Sequence, residues 1–87
     1  MLELSVTPQF KKDILKIPSA VKIQADFTTT LLRENPSDKT LNTKKLVGIK
    51  PSVWRVRIGS YRLIYSFNKT ALILLRIRHR KDVYKNI

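Results

Sequence analysis

Hydrophobic and polar positions change their period several times along the chain, and each change marks an element. Residues 2–6, LELSV, alternate apolar and polar, the period of a half-buried strand. Thr7-Pro8 then opens a helix. The hydroxyl can cap free N–H groups, and proline fits the first turn, where its missing N–H costs nothing. Phe10, Ile14 and Ile17 recur at i, i+4 and i+7 and form one apolar stripe. Pro18 ends that helix. Ser19 is placed to cap a second, running to Glu34, with Ile23, Phe27 and Leu31 on one face, and Asn35-Pro36 stops it. The break between the helices is so short that the pair reads as a helical hairpin.

Residues 35–52 are polar and read as a loop with a short apolar anchor at Leu46 and Val47. Two strands follow, VWRVRI and YRLIYSF, joined by a tight Gly59-Ser60 turn. Asn68-Lys69 makes a second turn, ALILLRIRH a third strand, and RKDVYKNI a tail or one helical turn. The predicted fold class is α+β. It comprises an N-terminal strand, a helical hairpin and a three-stranded antiparallel meander in one small sheet, with residues 1–87 forming a single domain.

Alternation sorts the strand side chains. Trp54, Val56 and Ile58 share one face and Arg55 and Arg57 the other. Tyr61, Leu63, Tyr65 and Phe67 lie opposite Arg62 and Ser66, and Arg76 and Arg78 share a face on the last strand. With the apolar faces against the helices, the arginines gather on the open side and the sheet becomes a cationic plate.

Charge sharpens this picture. Eighteen Lys and Arg against six Asp and Glu give a net charge of +12. Residues 1–38 hold five cations and five acids, whereas residues 39–87 hold thirteen cations and one acid, Asp82. Like charges at this density repel and weaken the compact state, so a tolerated excess implies a polyanionic partner: nucleic acid, an acidic protein or an anionic surface. A chain of 87 residues buries only about 60–65% of its unfolded surface, so a site is expected in a shallow groove. The N-terminus lacks a charged leader before a long apolar run, and ALILL is too short to span a bilayer. Neither secretion nor membrane insertion is expected, and the absence of cysteine fits a reducing, cytoplasmic setting.

The residue inventory excludes several chemistries. With one histidine and no cysteine, a structural zinc site is not expected. The acids are too scattered for a carboxylate pair or a two-metal cluster, and two glycines build no phosphate loop. No cofactor or metal is expected. What remains is metal-free chemistry on a phosphodiester: a base for the 2′-OH, cations for the phosphorane, an acid for the leaving oxygen. His79 and Tyr84 are the proton carriers near the arginines. Each feature also has a plainer reading. Arg55 and Arg57 would equally solubilise an open sheet. A lone His79 serves as well in packing, and Tyr84 as a plug holding the tail. Lys44, Lys45 and Lys50 are loop solubilisers or non-specific phosphate contacts. Arg76, Arg80 and Lys81 extend the basic surface as nucleic-acid contacts, and Trp54 belongs to the core.

The motifs Leu46-Val47-Gly48, Trp54-Arg55-Val56-Arg57, Gly59-Ser60-Tyr61-Arg62-Leu63-Ile64-Tyr65 and His79 to Tyr84 occur in an order and spacing that resembles the RelE/ParE superfamily of toxins, most closely its RelE branch. The resemblance covers essentially the whole chain. It implies a ribosome-dependent mRNA endonuclease that works in the A site. Cleavage would proceed by 2′-OH attack, without metal, to a 2′,3′-cyclic phosphate. It also implies an acidic antitoxin partner. On it, Arg62 matches a phosphate-clamping arginine, Arg78 one that stabilises phosphate or leaving group, and Tyr84 a tyrosine that stacks on or orients the substrate. Arg55 and Arg57 stand where some members carry lysines, one of them proposed as general base. Arginine, with a pKa above about 12, does not act as a base. His79 is the candidate acceptor. Two other readings stay open: a ParE-like gyrase poison, whose relatives generally lack the HRKDVY ending, and a basic nucleic-acid-binding module without activity.

Overall fold

The computed structural model describes residues 1–46 and 52–82. Expectations for Val47, Gly48, Lys50 and Tyr84 lie outside the described residues. The elements in order are β1 (Glu3–Val6), α1 (Pro8–Ile14), α2 (Ser19–Glu34), a 3-10 turn (Lys39–Leu41), β2 (Lys44–Leu46), β3 (Val53–Ile58), β4 (Tyr61–Phe67) and β5 (Ala71–His79). The strands form one five-stranded sheet in the order β1-β5-β4-β3-β2. The α+β class and the meander are as expected. The sheet gains one strand, because β2 pairs antiparallel with β3 inside the segment read as a loop. Lys-Lys-Leu is too short to show alternation, so only its partner strand defines it. β1 runs parallel to β5, with Glu3 opposite Ala71 and Val6 opposite Leu74.

Thr7 is the joint between sheet and helices. Its Oγ1 accepts from the Phe10 N–H at 3.1 Å, capping α1, and donates to the Leu75 carbonyl at 2.8 Å. Its own N–H donates to the Leu74 carbonyl at 3.1 Å. Those two carbonyls lie where the β4–β5 register slips: Ile64 faces Arg76, but Tyr65 faces Leu74. One extra residue in β5 makes a bulge. Leu72 and Leu74 therefore reach the helix side before it and Ile77 after it, while Arg76 and Arg78 take the open side.

α2 packs differently from its sequence reading. Ile23, Phe27 and Leu31 are exposed, and Ala25, Thr29 and Leu32 are buried. The helix carries two stripes about half a turn apart. The one with small residues faces the sheet, because Ala25 and Thr29 let the helix backbone approach closely. Nor does Ser19 cap α2: Pro18 is the capping residue, and no side chain bonds the free N–H groups there. α1 stops at Ile14 rather than at Pro18, but the residues of its expected stripe still meet the core, with Phe10 and Ile17 buried, Ile14 packed beside them, and Ile17 in the turn beyond the helix.

The core lies between the helices and one face of the sheet. It gathers Val56, Ile58, Leu63, Tyr65, Leu72, Leu74 and Ile77 against Phe10, Ile17, Ala25 and Leu32. Trp54, Tyr61 and Phe67 pack at its margin, Trp54 and Phe67 with ring centroids 5.5 Å apart. The Tyr65 hydroxyl donates to the Pro36 carbonyl and ties the end of α2 to the sheet, and burial pushes its phenol pKa up. No described helix is long and apolar enough to cross a membrane.

Candidate nucleic-acid interface

The open face of the sheet carries two cross-strand rows. In one, Arg57 on β3 stands opposite Arg62 on β4, which stands opposite Arg78 on β5. Neighbouring strands lie about 4.8 Å apart, so three guanidinium stems rise within roughly 10 Å of one another. Like charges directly opposite destabilise a ladder. The row is therefore a strained arrangement that an anion above it would relieve. In the other row, Lys44, Arg55, Ile64 and Arg76 follow one another across β2, β3, β4 and β5.

Local bonds aim several of these groups. Arg62 Nη1 donates to the carbonyls of Gly59 at 3.2 Å and Tyr61 at 3.0 Å, which curls the guanidinium over the β3–β4 turn. Gly59 supplies that turn with φ +60°, a left-handed conformation side chains rarely adopt. Arg55 Nη1 donates to the Asn42 carbonyl at 3.3 Å. Asn42, itself at φ 62°, turns the chain from the 3-10 segment into β2. Beside it Asp38 caps the 3-10 segment, accepting from the Thr40 N–H at 2.9 Å and hydroxyl at 2.7 Å, and these bonds hold its carboxyl below the usual range. A depression of about 350 Å³ opens there, lined by Lys39, Asn42, Thr43, Lys44, Arg55 and Arg57. Four cations and no acid line it. Lys39 is the site residue the sequence reading missed. It lies in a polar loop with no pattern, and only the 3-10 turn brings it beside β3.

The remaining candidates separate. Arg76 shares the open face but is engaged: its Nε donates to Asp13 Oδ2 at 2.8 Å and its Nη2 to Oδ1 at 3.1 Å. Asp13 also accepts from the Ile77 N–H at 3.2 Å. This clamp fixes α1 to the edge of β5 beyond the end of β1, so Arg76 is a structural ion pair rather than a phosphate contact. His79 stands opposite Tyr61, with its ring edge-on to that tyrosine at 5.5 Å. By alternation it lies on the helix side, across the sheet from Arg78. Its Nδ1 accepts from the Lys81 N–H at 3.3 Å, so in the neutral ring the proton sits on Nε2. The ring packs on Tyr61, and His79 and Arg78 both line a depression of about 190 Å³ at the end of β5. Lys45 faces Trp54 and points away from Lys44. Arg80 and Lys81 are exposed just beyond β5, held to the β3–β4 turn by the Arg80 N–H bond to the Ser60 carbonyl at 2.8 Å.

The open face is not uniformly cationic. Val53 and Ile64 are buried there, with Leu46 and Leu75 packed against them. The alternation that predicts a cationic plate does not anticipate this small apolar cluster. The cluster borders the arginine row through Ile64, which follows Arg62 on the same face of β4 and is itself buried.

A family model described as "ParE toxin of type II toxin-antitoxin system, parDE" matches residues 4–84. Toxin RelE3 of Methanocaldococcus jannaschii is 29% identical over 77 residues, covering 86% of each chain. Among solved structures, a RelB–RelE antitoxin–toxin complex from Methanococcus jannaschii holds a chain 25% identical, with a TM-score of 0.78 over 95% of this chain and 98% of that one. A chain of the archaeal RelE–RelB complex from Pyrococcus horikoshii OT3 gives the same TM-score, 0.78, at 23% identity over 94% and 98%. One in the E. coli DinJ–YafQ complex reaches 0.73 at 15% identity, over 97% and 99%. The last two establish likeness of fold.

Proposed function

The chain belongs to the ParE toxin family of type II toxin–antitoxin systems, with RelE-like relatives, and we propose that it is a ribosome-dependent mRNA endonuclease working in the cytoplasm. The observation that carries this reading is the register of Arg57, Arg62 and Arg78 across three strands. The 2′-oxygen of the substrate ribose attacks the adjacent phosphorus, the P–O5′ bond breaks, and a 2′,3′-cyclic phosphate forms. The proton leaving the 2′-OH is balanced by one delivered to O5′. The arginines neutralise charge on the phosphorane, where one well-aimed donor is worth about 3–4 kcal/mol. None of the three takes the proton. Alignment of the substrate on the ribosome lowers the barrier further and can supply about 7–11 kcal/mol.

The Methanococcus jannaschii and Pyrococcus horikoshii relatives occur with RelB. By likeness, this chain takes an acidic antitoxin, whose charge answers the +12 excess. The ParE description of the matching family favours a second reading, a gyrase poison. Toeprinting on a translated message separates the two. New 3′ ends inside the A-site codon support the nuclease. Gyrase-trapped DNA breaks without those ends overturn it.

A further inference from the structure

The cationic depression beside β3 is built by a loop that closes on itself. The Thr43 hydroxyl donates to the Asp38 carbonyl at 3.1 Å, and the Asn42 N–H donates to the Lys39 carbonyl at 3.1 Å. Asn42 then accepts from Arg55 through its own carbonyl, which ties the loop to β3. The loop is thus held by its own bonds before any ligand arrives, and a fixed site loses less entropy on binding. Asp38 spends its carboxylate on Thr40 and does not line the depression. The lining residues are all cationic or neutral polar, with no apolar side chain among them. The depression adjoins the arginine row without coinciding with it. Arg57 belongs to both. From Arg57, the row runs toward β5 through Arg62 and Arg78, whereas Lys44, opposite Arg55, lies the other way on β2. Arg55 and Arg57 rise from the same face of β3, about 7 Å apart along the strand. One nucleotide of an extended RNA strand covers a similar length.

We propose that this depression holds the phosphate next to the scissile one on the same RNA strand, with Lys39, Lys44 and Arg55 as its cations and Arg57 shared between the two phosphates. The proposal rests on the reading of the arginine row as the RNA-cleaving site. The lining selects the occupant. An acidic peptide would find no apolar surface to bury there, whereas a phosphodiester needs only charge and donors. Lys39 and Lys44 are positioning residues. They touch no reacting atom, but by gripping the neighbouring phosphate they set the register of the strand and bring the scissile phosphorus to the row.

The test uses the full chain and ribosomes carrying messages with one uncharged methylphosphonate beside the scissile linkage, on either side, over a 2′-deoxyribose. The scissile nucleotide keeps its 2′-OH. For the original chain, one of the two neutral linkages lowers kcat/KM roughly threefold to tenfold. Lys39→Gln and Lys44→Gln lower it by a similar factor on the natural message and add little on the message already neutral at that linkage. If both variants lose the same factor on every message, their lysines meet a phosphate of ribosomal RNA and the proposal falls. It also falls if they cut every message as well as the original and lose only affinity for an acidic protein. Binding of single-stranded RNA by the free chain gives a readout independent of cleavage. Each lysine removed lowers the slope of log affinity against log salt by about 0.7, while Lys69→Gln, in the turn at the opposite end of β4, leaves it unchanged. Equal slopes for all these variants overturn the site. If the original chain cleaves no mRNA yet the slope falls only for Lys39→Gln and Lys44→Gln, the nuclease reading fails and the phosphate site stands.

Discussion

Arg62 stands directly across from Arg78 in the β4–β5 ladder, and Arg57 faces Arg62 from the other side. Three like charges in register cost stability in the free protein, so the row trades fold strength for anion affinity. Replacing Arg62 or Arg78 with Gln should lower mRNA cleavage by about 10²–10³ and abolish growth arrest. The melting temperature should hold or rise, because a repulsion is removed. A variant that keeps full cleavage removes that residue from the site.

Inorganic pyrophosphate should stabilise the free toxin. Binding to the folded state alone adds about 2.7 kcal/mol at a hundred times the Kd. The rise in melting temperature should shrink as sodium chloride increases, and should be smaller for Arg57→Gln. Equal shifts in both proteins would place the anion elsewhere.

Asp13 holds Arg76 and the Ile77 N–H together. Asp13→Ala leaves a half-buried guanidinium without its carboxylate and frees α1 from β5. We expect a loss of about 1–3 kcal/mol in chemical denaturation, the pair being partly open to water. Cleavage by the folded fraction should be retained, in contrast to the arginine-row variants.

Gly59 takes φ +60° in the hairpin turn, and its carbonyl accepts from Arg62. Gly59→Ala meets no atoms within 4 Å, so its cost is backbone strain alone, about 1–2 kcal/mol. Because the strained residue carries the acceptor, cleavage should fall more than stability does. Urea denaturation and single-turnover cleavage on the same preparation measure the two.

Tyr65 should make the fold sensitive to alkali. Its phenol is raised above the ordinary value of 10.0, chiefly by burial. Below pH 10 it is neutral in both states and its contribution is fully present. Above that, the unfolded chain ionises first, and stability falls as pH climbs toward the folded value. Tyr65→Phe should be weaker at neutral pH, for want of the bond to Pro36, but lose less between pH 9 and about 11. Parallel urea titrations compare the slopes.

Much of this arrangement was legible in local chemistry. Thr7-Pro8 announces its helix, and Gly59-Ser60 its hairpin. Alternation through VWRVRI and YRLIYSF put Arg55, Arg57 and Arg62 on one face. What failed depended on contacts distant in sequence. The stripe of Ile23, Phe27 and Leu31 looks stronger than that of Ala25, Thr29 and Leu32, yet close approach to the sheet rewards the smaller residues. β2 has three residues and exists through its pairing with β3. The engagement of Arg76 by Asp13 joins positions 63 residues apart. His79 follows Arg78 by one residue, and that one residue carries it to the other face.

The extra residue in β5 has a consequence for how sequence can drift. A strand with one phase slip behaves as two half-strands spliced end to end. The half beside β1 answers only for leucine packing, and the half beyond it keeps Arg78 aimed outward. If β5 kept Leu75 but ran without the slip, unbroken alternation from Leu74 would turn Arg76 and Arg78 into the apolar layer and leave Ile77 in water, whereas deleting Leu75 would remove the bulge and keep every one of them on its present face. Substitutions in either half are local, whereas straightening the slip with every residue kept inverts the far half from face to back.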